Sequence, residues 1–175
     1  MLKTLRQRQK GFTLVEILIV VALIAILAVV ALITINPAEA QRRARDTQRL
    51  KDISTLQSIV EQYLSDNPST TFTTDIVSSA GTFTCDANWI GLDLCSYANT
   101  VPIDPANRST IVAGTAGSAG GNAYYEFILD ATGQYRICTR FESQANIAKA
   151  TSDGGQSDDY FEIYSYTGVT PCDGS

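Results

Sequence analysis

Between Phe12 and Ile35 the chain reads FTLVEILIVVALIAILAVVALITI, 24 residues among which Glu16 is the single charged side chain. A helix rising ~1.5 Å per residue makes such a run long enough to cross a hydrocarbon layer of ~30 Å. It is apolar nearly all round, which calls for lipid or for other copies of itself rather than a one-sided fit to a core. The 175 residues leave room for one ordinary domain besides, since domains cluster near ~100 to 150 residues.

Ahead of the run stands MLKTLRQRQKG, with Lys3, Arg6, Arg8 and Lys10 and no acid. Basic residues before a first apolar helix keep that end in the cytoplasm and send the rest outside. Arg42, Arg43, Arg45, Arg49 and Lys51 on the far flank pull the other way, but the first helix usually sets the orientation. A cleaved secretory signal has an A-x-A-like site in Ala38-Glu39-Ala40. Against it, the run exceeds the usual ~7 to 15 apolar residues and carries a carboxylate.

Glu16 is the residue that a simple anchor does not explain. An ionised side chain within such a segment costs roughly 2.5 to 3.5 kcal/mol on lenient insertion scales. Near a helix end it can snorkel to the interface. Removal of the leader after Gly11 offers more: Phe12 then presents a positive α-amino group one helical turn from Glu16, in its own or a neighbouring copy.

Lys10-Gly11-Phe12-Thr13-Leu14-Val15-Glu16 with its aliphatic run resembles the class III signal of type IV pilins and of the pseudopilins of type II secretion. The resemblance covers about the first 60 residues closely. It implies that a prepilin peptidase cleaves between Gly11 and Phe12 and N-methylates Phe12, and that Glu16 neutralises the amino terminus of a neighbouring subunit during assembly. It also implies an inner-membrane assembly platform as partner, residence in the membrane before assembly, and self-association into a helical homopolymer.

Asn36-Pro37 is expected to loosen or kink the helix, which then resumes to about Ser65. Leu50, Ile53, Leu56, Ile59 or Val60, and Tyr63 form its one apolar face. Arg42, Asp46, Arg49 and Lys51 are placed mostly off that face, as a solvated surface or a contact for anionic lipid. Asn67-Pro68 ends the helix. The expected division is a cleaved leader 1–11, a membrane and assembly helix 12–35, an amphipathic continuation 36–65 and an extracytoplasmic domain 66–175.

Past residue 68 a long connection precedes two alternating runs, Tyr124 to Leu129 and Gln134 to Phe141, joined by Asp130-Ala131-Thr132-Gly133 as a hairpin turn. Tyr160 to Tyr166 supplies a third strand. The predicted class is therefore α+β, a long helical spine against a small antiparallel sheet. Val101-Pro102-Ile103-Asp104-Pro105 is similar to the Pro-x-Asp-Pro element of major pseudopilins and related pilins, without the Trp-Gly that often follows it there. Asp153, Asp158 and Asp159 surround two glycines in a loop that resembles the calcium loop of major pseudopilins. Hard cations favour several oxygens on a flexible loop, so calcium is the one cofactor considered.

The chain has no histidine, the common general base and metal ligand. Cys85, Cys95, Cys138 and Cys172 include no Cys-x-x-Cys pair, which disfavours zinc and favours two disulfides in an oxidising compartment. Of three pairings, Cys85 with Cys95 and Cys138 with Cys172 close the more local loops. Beyond Gly11, 9 basic side chains face 18 acidic ones, a balance unsuited to phosphate backbones, so no nucleic-acid partner is expected. No nucleophile and base arrangement or phosphate loop marks an enzyme. A filament subunit is the leading expectation, in a pilus or in the periplasmic pseudopilus of type II secretion. A monomeric anchored binding protein is the alternative, with its ligand in the 68–122 connection or on the tyrosine-bearing sheet.

Overall fold

The computed structural model of the protein describes residues 11–34, 36–70, 74–78, 84–85, 88–107 and 123–172. The basic leader, Ile35 and the Gly- and Ala-rich run 113–121 lie outside them. Two compact units divide the chain, Met1–Ala40 and Gln41–Ser175.

In the first unit, α1 (Leu14–Thr34) has 21 residues and buries none of them, and at roughly 31 Å it has the length of a hydrocarbon layer. Asn36 and Pro37 do more than kink a helix. The Asn36 side-chain oxygen accepts the Glu39 amide at 3.2 Å and its carbonyl accepts the Ala40 amide at 3.1 Å. Asparagine as cap with proline in the first helical position is a start signal, so a second helix, α2 (Pro37–Asp66), begins here with its own cap.

Among the described residues the second unit holds most of α2, four strands and a short helix. The strands β1 (Thr74–Val77), β2 (Tyr125–Leu129), β3 (Tyr135–Thr139) and β4 (Phe161–Tyr164) form one sheet in that order, with each neighbouring pair antiparallel. The helix α3 (Gln144–Ala150) lies between β3 and β4 in sequence. Alternation along the strands sends Tyr125, Phe127, Leu129, Tyr135 and Ile137 to one face, where they pack with Ile53, Leu56, Ile59 and Val60 of α2. Two tyrosines add a polar tie at the edge of this contact, Tyr125 donating to Asp52 at 2.8 Å and Tyr135 to Glu61 at 2.6 Å. The opposite face is covered by the C-terminal segment: Ile128 and Cys138 cluster with Tyr160, Val169 and Cys172.

The hairpin turn is built on Asp130, whose Oδ1 accepts the amides of Thr132 and Gln134 at 2.8 and 3.0 Å, with Gly133 in the left-handed region at φ 79°. Disulfides join Cys85 to Cys95 and Cys138 to Cys172. The first closes a loop whose Trp89, Ile90, Leu92 and Leu94 are all buried. Trp89 also donates its indole N–H to the Pro102 carbonyl at 2.8 Å. This stretch of the long connection, where a ligand was considered, is part of the core, and β1 within the same connection completes the sheet.

Trp89→Ala in the full chain in detergent should lower the unfolding free energy by about 3 to 5 kcal/mol, as deletion of a buried ring does. Denaturant titration measures it, and a loss under about 1 kcal/mol would contradict the core role.

Candidate functional site

Gly11 and Phe12 precede the first helical residue, and Phe12 is 83% exposed. Thr13 and Glu16 then close a reciprocal pair. The Thr13 amide and hydroxyl both donate to Glu16 Oε2 at 2.8 Å, while the Glu16 amide donates to Thr13 Oγ1 at 3.2 Å. This is a capping box, in which each side chain satisfies an orphan amide of the helix start. Its sequence signal is threonine followed three residues later by glutamate at the head of an apolar run. The box answers the hydrogen-bonding needs of the carboxylate and not its charge, so the requirement for a cation in an apolar setting stands.

The basic cluster on α2 differs from its expected place. Asp46 and Arg49 are wholly buried rather than solvated. Arg49 lies four and seven residues before Ile53 and Leu56, so it extends the apolar stripe instead of leaving it. Its Nε and Nη2 grip Asp104 at 2.6 and 3.0 Å, Nη1 reaches Asp46 at 2.9 Å, and Nη2 also meets Glu142 at 2.7 Å. Arg45 bridges to the same Glu142. Burial opposes the charged guanidinium, but the Asp104 and Glu142 carboxylates outweigh it and raise the Arg49 pKa.

Three carboxylates against two guanidiniums leave a negative excess, which backbone amides absorb. Asp104 Oδ1 accepts the amides of Ala106 and Asn107 at 2.8 and 3.3 Å. Asp46 accepts those of Glu142 and Ser143 at 2.9 and 2.8 Å, placing a negative charge at the start of α3. The Pro-x-Asp-Pro element therefore works here as an anchor for the helix, its Asp104 being the buried partner of Arg49.

The structure does not gather Asp153, Asp158 and Asp159 into one ligand set. Asp158 and Asp159 are exposed, and Asp153 turns inward to accept the Gly155 and Glu162 amides, each at 2.7 Å. The loop is wrapped around the buried carboxylate of Glu162, which accepts the Gln156 and Ser157 amides and an Arg136 N–H. Amides converging on a carboxylate present the polarity suited to an anion, opposite to that of a cation cage. Among the described residues the one tight group of metal-ligating types is Glu126, Cys138 and Cys172. Its two thiols are spent in a disulfide.

Residues 6–32 match the family model described as the prokaryotic N-terminal methylation motif. The match spans Gly11, Phe12, Glu16 and most of α1, and none of the unit from Gln41 onward. No curated protein and no solved structure matches the chain. This motif on an exposed apolar helix supports a type IV pilin-like or pseudopilin precursor, anchored in a membrane. It suggests a structural, non-enzymatic protein.

Two outcomes are expected of the folded unit. Burial alone would raise the Glu142 carboxyl, but its bonds to Arg45 and Arg49 hold it below its usual value. Its stabilising contribution is therefore complete above the unfolded pKa of ~4.3 and is lost as pH falls through the lower folded value. Thermal melts should show stability dropping below about pH 4, with a shallower drop in Glu142→Gln; an unchanged acid slope would contradict the pairing. In Gly155→Ala the added Cβ meets the Glu162 carboxylate. Displacing that buried acceptor should destabilise by about 1 to 3 kcal/mol, and a wild-type melting temperature would argue against the wrapped loop.

Proposed function

We propose that the chain is the structural subunit of a type IV pilus-like filament, cut between Gly11 and Phe12 and polymerised through α1. The observation that carries the reading is the methylation motif lying on a helix none of whose residues the chain itself buries. Before assembly, lipid is the medium that matches such a surface. After assembly, other copies of α1 take its place. The charge of Glu16 then finds its cation in the α-amino group that cleavage creates on Phe12 of a neighbouring subunit. In the proposed order of events, a prepilin peptidase and an inner-membrane assembly platform act on a single-pass precursor whose unit from Gln41 faces outside. The four cysteines, paired in two disulfides, suit that oxidising side.

A pilus subunit is preferred to a type II secretion pseudopilin because the features that suggested the latter have local explanations. Asp104 serves the Arg49 network, and the 151–159 loop encloses Glu162. A monomeric anchored binding protein gains no support from the 85–95 loop, which is committed to the core.

Mass spectrometry of the native protein should find an N-terminus at Phe12 carrying one extra methyl group, whereas an intact Met1 would sink the proposal. Glu16→Ala should insert into the membrane normally and yield no filaments by electron microscopy. Filaments at wild-type abundance from that variant would remove Glu16 from the assembly step.

A further inference from the structure

The two disulfides stand in opposite surroundings. Cys138 and Cys172 are buried, at 0% and 5% exposure, within the cluster that covers the outer face of the sheet. Cys95 is exposed and Cys85 half-buried. Their sequence separation is 10, against 34 for the buried pair. Closing the shorter loop removes less entropy from the unfolded chain, so the fold depends on it less.

Bonds that do not involve sulfur hold the 85–95 loop at both ends and in its middle. Thr84 pairs with Thr100 in an antiparallel bridge just outside the disulfide. Asn88 spans the interior, donating to the carbonyls of Cys85 and Leu92 at 2.7 and 2.6 Å and accepting the Gly91 amide at 3.0 Å. The Leu94 carbonyl accepts the amides of Tyr97 and Ala98, each at 2.9 Å. Trp89, Ile90, Leu92 and Leu94 are anchored in the core. A loop fixed in so many places does not need the covalent bond to keep its path.

Exposed disulfides are the ones that thiols exchange with, while buried structural ones resist them. Residues 85–95 read CDANWIGLDLC, in which Asp86 and Asp93 are acidic and none is basic. The Cys95 amide donates to Asp93 Oδ1 at 3.3 Å, which keeps that carboxylate close to Cys95. A negative field of this kind slows an anionic thiol and draws a cationic one. We propose that the Cys85–Cys95 disulfide is a surface site of thiol exchange, at which Cys95 accepts a small aminothiol. The thiolate attacks Cys95 Sγ and the bond to Cys85 breaks. Cys85 leaves as a thiolate and takes a proton from water, while Cys95 keeps the aminothiol as a mixed disulfide. Return attack by the Cys85 thiolate expels the adduct and recloses the loop, so the modification is reversible. Cys138–Cys172 stays closed throughout as the permanent clasp. The site holds whether or not α1 assembles.

The test uses the full chain in detergent, with cysteamine as the aminothiol and mercaptoacetate as an anionic counterpart. After quenching with iodoacetamide, peptide mass spectrometry should find cysteamine on Cys95 and the alkyl group on Cys85. Opening of this disulfide should outpace that of Cys138–Cys172 by roughly tenfold or more. With each rate divided by that of the same thiol on a neutral model disulfide, cysteamine should lead several-fold at low salt. High salt should narrow the gap, and so should Asp93→Asn. Trp89 is the single tryptophan of the chain and lies inside this loop, so its fluorescence should remain that of a buried indole in the adduct. The double variant Cys85→Ser with Cys95→Ser should keep the same fluorescence and take no adduct. Exposure of Trp89 in the adduct or in the double variant would show that the loop needs its covalent bond and would overturn the proposal. Adducts on Cys138 or Cys172 at a comparable rate, or equal normalised rates for the two thiols, would overturn it as well.

Discussion

A helix of 21 residues that buries none of its side chains draws no stability from the rest of its own chain. Burying one leucine-sized side chain is worth about 1.5 to 3 kcal/mol, so leaving the whole of α1 in water would outweigh the net stability of a domain this size. The surroundings must come from outside the chain: lipid for the anchored precursor and, in the filament proposed above, other subunits. Glu16 restricts the second of these. Its capping box with Thr13 supplies hydrogen bonds without neutralising it, so in the proposed filament an apolar surrounding still calls for a cation beside it.

The unit from Gln41 onward is organised on a different basis. Its apolar stripe on α2 supplies the area, and the Arg49 cluster fixes which segments lie against the helix. A fully buried guanidinium is held by carboxylates from three places in the chain, Asp46, Asp104 and Glu142. Such a group stabilises little relative to a well-packed apolar substitute, but losing one partner is severe because it strands the rest. Asp104 thereby secures the segment after the 85–95 loop, and Asp46 secures the start of α3.

Much of this was legible in the sequence. Apolar run, basic leader and the Glu16 spacing are contiguous signals, and β2 to β4 alternate clearly enough to be read with their turn. The shortfalls share a cause. Strand β1 is four residues, Thr-Asp-Ile-Val, too short for alternation to mark and defined by its pairing with β2. Asp46 and Arg49 looked like surface charges because their partners Asp104 and Glu142 lie some fifty and a hundred residues away. Pattern reading of one helix has no access to them. The acidic loop has the same character: composition records three aspartates, while the group around which the loop folds is Glu162 in the following strand.

The central claim, that α1 becomes an assembly surface through the charge of Glu16, is tested most directly by electron cryomicroscopy of filaments isolated from cells expressing the protein. The α1 helices of successive copies are expected at the filament axis, with each Phe12 nitrogen within ion-pair distance of ~4 Å of a neighbour's Glu16. Filaments in which α1 lies at the periphery, or in which Glu16 keeps only its own Thr13 while the neighbouring amino termini lie elsewhere, would contradict it.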